Sequence, residues 1–188
     1  MEYREFRLTG SGGQGLILAG IILAEAALLD GKNVVQSQAY GPEARGGASK
    51  AEVIISDSVI NYPKIEKCDV LLALTQNAYD KYINTLKVNG VLIVDDSVKL
   101  NDDYSDNFDI YSLPILKTAS DKLGKPMVAN MVALGSILAA TGIVRKDSLE
   151  KAVMSRVPRG TEDLNIKALH EGINLIKKGK GIDCYETC

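Results

Sequence analysis

The sequence contains no tryptophan, and aromatic residues make up only 5% of its 188 residues. Positive charge is not concentrated anywhere. Lys and Arg total 22 against 24 acidic residues, for a net charge of −2, and no run of basic residues is longer than two. A nucleic-acid partner requires a basic surface or aromatic side chains on which bases stack. We therefore expect no binding to nucleic acid.

Long apolar runs are also missing. A membrane-spanning helix needs about 20 consecutive apolar residues, and no segment reaches that length, so we expect no membrane partner. The chain is nevertheless long enough to bury a core of its own without disulfide or metal support. We expect residues 1–188 to form a single domain.

Cysteine is scarce: the sequence has three, Cys68, Cys184 and Cys188. Their odd number and wide spacing, and the lack of a secretory signal at the start, predict a reducing, cytoplasmic compartment. The four-cysteine spacing of ferredoxins is missing, so we expect no iron–sulfur cluster bound by this chain alone. Cys184 and Cys188 fit half of a metal site or a redox pair, but we favour two thiols of a loosely ordered chain end.

Histidine occurs once, as His170. It falls within a helical pattern, and no Ser or Cys motif accompanies it. We expect a surface or packing residue rather than a catalytic base.

Apolar segments alternate along the chain between strand and helix patterns. Uniformly apolar strands such as 69–74 and 90–95 are typical of a buried parallel sheet, and the alternation predicts an α/β fold. We expect a doubly wound, mainly parallel, Rossmann-like sheet with a helical C-terminal segment. Further strands are predicted at 5–9, 33–38, 50–56 and 109–113, and helices at 16–29, 78–86, 115–123, 130–141, 147–156 and 165–178.

Two of the predicted helices, 16–29 and 130–141, are apolar on nearly all faces. We expect each to be covered all round, and an open sheet of this size covers two such helices only with difficulty. This pattern favours an obligate subunit with a large apolar interface. We expect the isolated chain to self-associate or behave poorly.

The first of two glycine clusters follows the first predicted strand and opens a helix. It contains Gly10, Gly12, Gly13 and Gly15. Backbone N–H groups of such a turn, with the helix dipole, are suited to an anion. The same glycines are equally compatible with close packing of helix on strand.

Known nucleotide motifs fit this cluster incompletely. Gly10, Gly12 and Gly15 satisfy the dinucleotide fingerprint, but the second strand ends Val35-Gln36-Ser37-Gln38, without the acidic residue that holds the ribose. A phosphate loop for ATP needs Lys and Ser or Thr where the sequence has Leu16 and Ile17. A dinucleotide-dependent oxidoreductase is kept as an alternative, and ATP hydrolysis is not expected.

The second cluster, Tyr40 to Gly47, reads Tyr-Gly-Pro-Glu-Ala-Arg-Gly-Gly. Arg45 is its one cation, and arginine suits a bidentate grip on a carboxylate or phosphate. Pairing of Arg45 with Glu43 or with a neighbouring subunit is equally compatible with the residues. Gly46 and Gly47 specify a shaped turn.

Together these segments resemble the gamma subunits of 2-oxoacid:ferredoxin oxidoreductases. The resemblance rests on both glycine clusters taken with four further segments and runs from about residue 7 to 176. These segments are Tyr62-Pro63, Asp69 to Leu74, Ala129 to Gly135, and Asn165 with Lys167 to Leu169. The second cluster is most similar to gamma subunits of 2-oxoglutarate enzymes, with pyruvate and branched-chain relatives close.

The resemblance implies a part in a larger enzyme. Such complexes convert a 2-oxoacid, coenzyme A and oxidised ferredoxin to acyl-CoA, carbon dioxide and reduced ferredoxin. It implies partners in the alpha, beta and delta subunits, with thiamine diphosphate between alpha and beta and [4Fe-4S] clusters on beta and delta. The gamma chain is then structural, helps to form the approach for coenzyme A, and has no activity alone.

No catalytic or metal-ligating residue is nominated in this chain. The residues expected to bind coenzyme A or contact partner subunits are Gly10, Gly12, Gly13, Gly15, Arg45, Gly46, Gly47 and Asn130. A ligand-free assembly module, in which the glycines serve only packing, is the remaining alternative.

Overall fold

A computed structural model describes residues 2–38, 48–101 and 107–179. Its centre is a six-stranded sheet with the order β2-β3-β1-β4-β5-β6. The strands are β1 (Tyr3–Ser11), β2 (Asn33–Gln38), β3 (Ala48–Ser56), β4 (Cys68–Ala73), β5 (Leu86–Asp95) and β6 (Asp109–Leu113).

The sheet is mainly parallel, as the sequence predicts. β1, β4, β5 and β6 are parallel neighbours, and β3 pairs antiparallel with both β1 and β2. In register, Phe6 of β1 lies opposite Val53 of β3 and Val70 of β4. A single strand of opposite direction therefore lies between β1 and the edge strand β2.

Helices cover both faces of the sheet. The larger core lies on the face covered by α1 (Leu16–Leu29), α4 (Ala129–Thr141), α5 (Lys146–Arg156) and α6 (Glu162–Gly179). The smaller core lies on the other face, under α2 (Gln76–Tyr82). Alternate strand residues point to the two cores: Leu72 belongs to the larger and Leu71 to the smaller. The doubly wound arrangement is confirmed.

Two predicted helices have different extents in the structure. The stretch 78–86 is α2 followed by a 3₁₀ turn (Ile83–Thr85), and Leu86 already begins β5. The stretch 115–123 is a short α3 (Ile115–Lys117) that widens into a π turn (Thr118–Lys122). The apolar spacing correctly predicts a helical segment in both places. Whether the end of such a segment forms α, 3₁₀ or π hydrogen bonds is decided by packing and not by this spacing. The remaining predicted elements shift by a few residues at most.

Of the two helices predicted to be apolar on nearly all faces, the chain itself covers one. Every residue from Ala129 to Leu138 is buried by the chain itself, because α4 packs closely against α6 on one side and the sheet on the other. For α1 the expected all-round cover is incomplete within this chain. Leu28 and Leu29 are 60% and 49% exposed.

A charged cluster joins the end of α1 to the start of α5. The Asp30 carboxylate accepts hydrogen bonds from the Arg145 backbone N–H at 2.6 Å, from Arg145 Nε at 2.8 Å and from the Ser148 hydroxyl. Burial alone raises the pKa of Asp30, but the hydrogen bonds from Ser148 and Arg145 outweigh it, so that its pKa lies below the usual 3.8. A lowered carboxyl pKa stabilises the fold at pH values above the unfolded-state pKa, and this stabilisation is lost as the pH falls through the folded-state pKa.

We expect Asp30→Asn to lower the free energy of unfolding at pH 7 by about 1 to 3 kcal/mol, because a charged acceptor of several hydrogen bonds is lost. The deficit should shrink as the pH falls below the unfolded-state pKa and through the lowered folded-state pKa, where the wild-type carboxylate also becomes protonated. Urea denaturation at pH 7, 5 and 3.5 measures this, with exposed Glu66→Gln as the control. A deficit that is constant with pH would contradict the assignment.

No helix in the described ranges is both long and apolar enough to cross a membrane.

Candidate functional site

The first glycine cluster forms a turn at the carboxyl end of β1. Gly10 is buried near the end of that strand, Gly12 and Gly13 are exposed in the turn, and Gly15 precedes α1. The Gln14 side chain closes the turn, since its Oε1 accepts the Ser11 N–H at 2.7 Å. A Cβ at Gly10 would overlap that oxygen, so a larger residue there would displace the Gln14 side chain from the turn.

The turn lies where the chain changes face. The helix after β1 covers one face of the sheet and the helix after β4, its parallel neighbour, covers the other. In open α/β sheets such a topological switch point leaves a crevice outside the carboxyl ends of the strands, where ligands bind. The glycine turn occupies this place.

Asn130 is brought to the same turn from 115 residues away. Its side chain is almost fully buried, and Nδ2 donates to the Gly15 carbonyl at 3.2 Å while Oδ1 accepts the Met131 N–H at 3.0 Å. Gly15 has φ 70°, a region that favours glycine, and a Cβ there would lie 2.5 Å from Asn130 Nδ2. Asn130 therefore fixes the position from which α1 starts.

The amino end of α1 is open to an anion. Within the described part of the chain no side chain caps the helix, and its first turn carries no acidic residue. The first N–H groups of a helix have no partner within it, and they carry partial positive charge. These groups suit a phosphate or carboxylate.

An apolar pocket of about 270 Å³ adjoins the turn. Its walls come from α1, the start of α4 and the connection between α5 and α6. It is lined by Gly13, Gly15, Leu18, Met127, Val128, Asn130, Val157, Pro158, Thr161, Leu164 and Asn165. Polar backbone at one end and aliphatic side chains elsewhere suit a ligand that has both an anionic and an apolar part.

The pocket contains residues that the sequence did not nominate. Met127 is 78% exposed at its rim, and Thr161 and Asn165 form its polar corner, where Asn165 Nδ2 donates to the Thr161 carbonyl at 2.8 Å. Asn165 stands in one of the segments that carry the family resemblance, which was the available signal. No pattern pointed to Met127.

The other nominated residues, Arg45, Gly46 and Gly47, lie outside the described residues, as do Cys184 and Cys188. Their roles stay predictions.

The strand order weakens the dinucleotide alternative further. In dinucleotide-binding folds the second strand lies beside the first, so that its carboxyl end reaches the ribose. Here β3 lies between β1 and β2 and runs in the opposite direction. The residues that end β2 are therefore one strand farther from the glycine turn.

A larger depression of about 590 Å³ lies at the opposite end of the sheet, lined in part by Glu5, Tyr62, Lys64 and Lys87. Two of its charged groups are paired with each other, since Lys87 Nζ lies 2.6 Å from Glu5; the same nitrogen also lies 2.9 Å from the nearby Asp69. The amino ends of parallel strands also lack the crevice of a switch point. The glycine turn is the better candidate site.

Nucleophilic and metal chemistry have little support in the described ranges. Cys68 is fully buried, and burial raises the pKa of its thiol to about 11, so it is protonated at neutral pH and unreactive. His170 is partly exposed, and its Nε2 lies 2.5 Å from Glu150 Oε1. A contact of this kind is typical of a surface residue. The described residues include no group of three or more His, Cys, Asp or Glu side chains placed to hold a metal, so they do not fit an iron–sulfur cluster.

The turn, the switch point and the covering helices are features of a doubly wound α/β fold with a candidate site at the carboxyl end of its first strand. The chain belongs to the pyruvate ferredoxin/flavodoxin oxidoreductase family, whose model matches residues 5–175.

Relatives agree along almost the whole chain. The 2-oxoglutarate synthase subunit KorC of Methanocaldococcus jannaschii is 48% identical over 177 residues, 93% of this chain and 95% of that protein. The crystal structure of a keto/oxoacid ferredoxin oxidoreductase gamma subunit from Geobacter sulfurreducens is 53% identical, with a TM-score of 0.81, and the match covers 91% of this chain and 96% of the other.

A more distant structure shares the fold. It is a 2-oxoglutarate:ferredoxin oxidoreductase from Magnetococcus marinus with 2-oxoglutarate, coenzyme A and succinyl-CoA bound. The identity is 20% and the TM-score 0.85, and the match covers 100% of this chain and 33% of that one. At this identity the likeness is one of fold.

Proposed function

We propose that this chain is the gamma subunit of a 2-oxoacid:ferredoxin oxidoreductase that acts on 2-oxoglutarate. The observation that carries the proposal is the identity of 48% to a 2-oxoglutarate synthase subunit over 93% of this chain. The 53% identical gamma subunit of known structure supports the same assignment. The reaction is oxidation of a 2-oxoacid with coenzyme A and oxidised ferredoxin to acyl-CoA, carbon dioxide and reduced ferredoxin.

The chain then works as one part of an assembly with alpha, beta and delta subunits in the cytoplasm, and ferredoxin reaches it only through the complex. Thiamine diphosphate between alpha and beta, and [4Fe-4S] clusters on beta and delta, supply the decarboxylation and the electron path. We place neither group on the gamma chain, whose Cys68 is buried and protonated.

Within the complex, the glycine turn receives the phosphates of coenzyme A. Gly10, Gly12, Gly13 and Gly15 place bare backbone at the uncapped start of α1, and an anion there is stabilised by the N–H groups and the helix dipole. The adjoining apolar pocket suits the uncharged part of the same molecule. Asn130 holds the turn in shape, and Arg45, Gly46 and Gly47 supply a second contact to coenzyme A or to a partner subunit.

The first arm of the experiment tests the subunit assignment. The tagged chain is expressed with its genomic neighbours, purified, and assayed with 2-oxoglutarate, coenzyme A and oxidised ferredoxin. We expect stoichiometric partner subunits and succinyl-CoA formation from the complex, and no turnover from this chain alone. Turnover by the chain alone, or a chain that purifies without partners, would contradict the assignment.

The second arm tests the turn with a matched pair of variants at Gly13. Its φ is 85° and a Cβ there meets no atom within 4 Å. Asp and Asn both tolerate such a conformation, so Gly13→Asp and Gly13→Asn differ only in charge. We expect Gly13→Asp to raise the KM for coenzyme A about tenfold over Gly13→Asn, since like charge at the turn costs about 1.4 kcal/mol. The KM for 2-oxoglutarate should not change. Equal KM values for coenzyme A in an assembled, active complex would remove the turn from its binding site and leave the subunit assignment intact.

A further inference from the structure

The composition of the apolar pocket beside the glycine turn restricts what the pocket can hold. Among the described residues that line it, none carries a charge or an aromatic ring. A charged group without a counter-charge is costly to bury, so the group that enters is neutral. Proteins commonly stack a nucleobase on an aromatic side chain, whereas this pocket offers branched aliphatic side chains such as Leu18, Val128 and Leu164. The cavity therefore suits a neutral, branched aliphatic group.

Three polar side chains line the same pocket, and two of them are engaged in contacts within the chain. Asn130 uses its Nδ2 to hold the glycine turn and its Oδ1 to accept the Met131 N–H. The Thr161 hydroxyl donates to the Pro158 carbonyl oxygen at 2.7 Å and accepts from Asn165 Nδ2 at 3.1 Å. These two side chains shape the pocket and are already satisfied by it.

The third polar side chain, Asn165, has an acceptor without a partner. Its Nδ2 donates to the Thr161 carbonyl oxygen at 2.8 Å and to the Thr161 hydroxyl. A carbonyl oxygen can only accept, so this contact fixes which end of the amide faces Thr161 and turns Oδ1 away from it. No described residue donates to Oδ1, although Asn165 is only 8% exposed.

Asn165 Oδ1 opens into the pocket. Within residues 2–38, 48–101 and 107–179, the buried side-chain polar atom that is enclosed without a partner is Arg7 Nη1. Oδ1 also has no partner, so it is not enclosed by protein. Because Asn165 lines the pocket and is otherwise buried, the pocket is the space that Oδ1 faces. A neutral N–H supplied by a ligand would satisfy this acceptor.

We infer that Asn165 Oδ1 accepts an amide N–H from the pantetheine arm of coenzyme A, and that the pocket holds the branched pantoyl unit beside that amide. The inference rests on the function proposed above for the glycine turn. In coenzyme A the pantoyl unit joins the diphosphate to the first amide and carries two methyl groups on one carbon. With the diphosphate at the turn, this unit enters the adjoining pocket, since Gly13 and Gly15 belong to both. Asn165 then selects for an amide at this place in the ligand.

The test combines one change in the protein with one change in the ligand. Asn165→Leu replaces the amide by an apolar side chain of similar size. The backbone N–H at this position still donates to the Thr161 carbonyl oxygen at 3.0 Å, so the substitution leaves no orphaned carbonyl. The second ligand is an ester analogue of coenzyme A, with oxygen in place of the N–H of the amide next to the pantoyl unit. Isothermal titration calorimetry of the purified complex with its partner subunits gives the dissociation constant of each pair.

We expect the wild-type complex to bind the ester analogue about tenfold more weakly than coenzyme A, which corresponds to about 1.4 kcal/mol. The Asn165→Leu complex should bind coenzyme A about tenfold more weakly than wild type does. It should bind coenzyme A and the ester analogue about equally, because the acceptor that distinguishes them is gone. Asn174→Leu, at an exposed position of the same helix, is the control and should bind both ligands as wild type does.

Equal affinity of the wild-type complex for the two ligands would overturn the inference, and this measurement depends on no variant. An Asn165→Leu complex that distinguishes the ligands as wild type does would also overturn it. So would an analogue with hydrogen in place of the adenine amino group, if it binds wild type weakly and Asn165→Leu removes the difference, because the pocket would then hold the base.

The proposed function fails separately from this inference. A complex that forms succinyl-CoA but binds both ligands alike leaves the subunit assignment intact and contradicts only the role of Asn165. If the chain purifies without partner subunits, the subunit assignment fails, and the same titrations on the chain alone decide the inference. Absence of any binding of coenzyme A to that chain would overturn the inference as well.

Discussion

Gly135→Ala is expected to destabilise the chain by about 3 kcal/mol or more, although alanine is the better helix former. In an exposed helix this change stabilises by roughly 1 kcal/mol. Here α4 and α6 cross at two facing glycines. A Cβ at Gly135 would overlap the Leu169 carbonyl oxygen, and one at Gly172 would overlap that of Val132. Backbone atoms cannot rotate away, so the helices must separate.

Separation would also break a polar contact and open the core. The Ser136 hydroxyl lies in this crossing, and its single proton is shared between the Val132 carbonyl oxygen of α4 at 3.1 Å and the Gly172 carbonyl oxygen of α6 at 3.2 Å. Overpacking of a well-packed core typically costs about 1 to 3 kcal/mol, and a backbone clash with loss of the contact to Gly172 belongs at or above the upper end.

Urea denaturation of the purified chain measures the effect, with Gly20→Ala as the matched control. Gly20 is also a buried helical glycine, but the nearest atom to its Cβ position is a side-chain methyl at 3.2 Å, so a small shift accommodates it. The double variant Gly135→Ala/Gly172→Ala should cost less than the sum of the singles, because one helix displacement makes room for both. A Gly135→Ala chain as stable as wild type would show that the helices do not cross this closely.

Arg7→Met should lower the free energy of unfolding by about 3 to 5 kcal/mol, the usual result of removing one partner of a buried ion pair. Arg7 is 3% exposed in the centre of β1. Its Nε donates to Glu52 at 2.8 Å, and its second terminal nitrogen contacts the same carboxylate at 2.6 Å and the Ile65 carbonyl at 2.8 Å. In the Arg7→Met variant Glu52 would stay buried. Its remaining cationic partner would be Lys50, whose Nζ lies 3.1 Å from Glu52 Oε1.

The double variant Arg7→Met/Glu52→Leu separates the ion pair from simple packing. Replacing both charges by apolar side chains is often neutral, so we expect recovery to within about 1 kcal/mol of wild type. Arg7 Nη1 is buried without a hydrogen-bond partner in the described structure, which lowers what the pair contributes and favours recovery. Arg4→Met, in the same strand but with a half-exposed pair to Glu2, should cost less than about 1 kcal/mol. If the double variant is as unstable as Arg7→Met, the loss of stability comes from the changed side-chain shape and not from the unpaired charge of Glu52.

The layers of this fold can be predicted well from the sequence, because segments that are buried are rich in apolar residues. Helix 16–29 and strand 33–38 have the predicted bounds, since a run that is apolar except for Glu25 favours a helix and a short stretch around Val34 and Val35 favours a strand. The direction of β3 could not be read, because parallel and antiparallel strands with two buried faces have the same pattern.

The element that covers α4 could not be predicted for a related reason. An apolar circumference predicts complete burial but does not tell which element provides it. That element is α6, whose own pattern gives no sign of a glycine crossing at Gly172. The contact between Asn130 and Gly15 likewise could not be predicted from the sequence. Both residues are among the predicted site residues, but only the three-dimensional packing shows that the Asn130 side chain is hydrogen-bonded to Gly15. The apolar pocket beside them is assembled from three separate segments of the chain, 13–18, 127–130 and 157–165.

The hydrogen bond from Asn130 to Gly15 has a consequence for the order in which the protein matures. A ribosome completes the glycine turn well before it adds α4, so the turn leaves the exit tunnel without the side chain that fixes it. Contacts of such large sequence separation form late, after the loop-closure entropy has been overcome. For the anion-binding role that we propose for this turn, we therefore expect competence to arise once the second half of the chain has docked and Asn130 contacts Gly15.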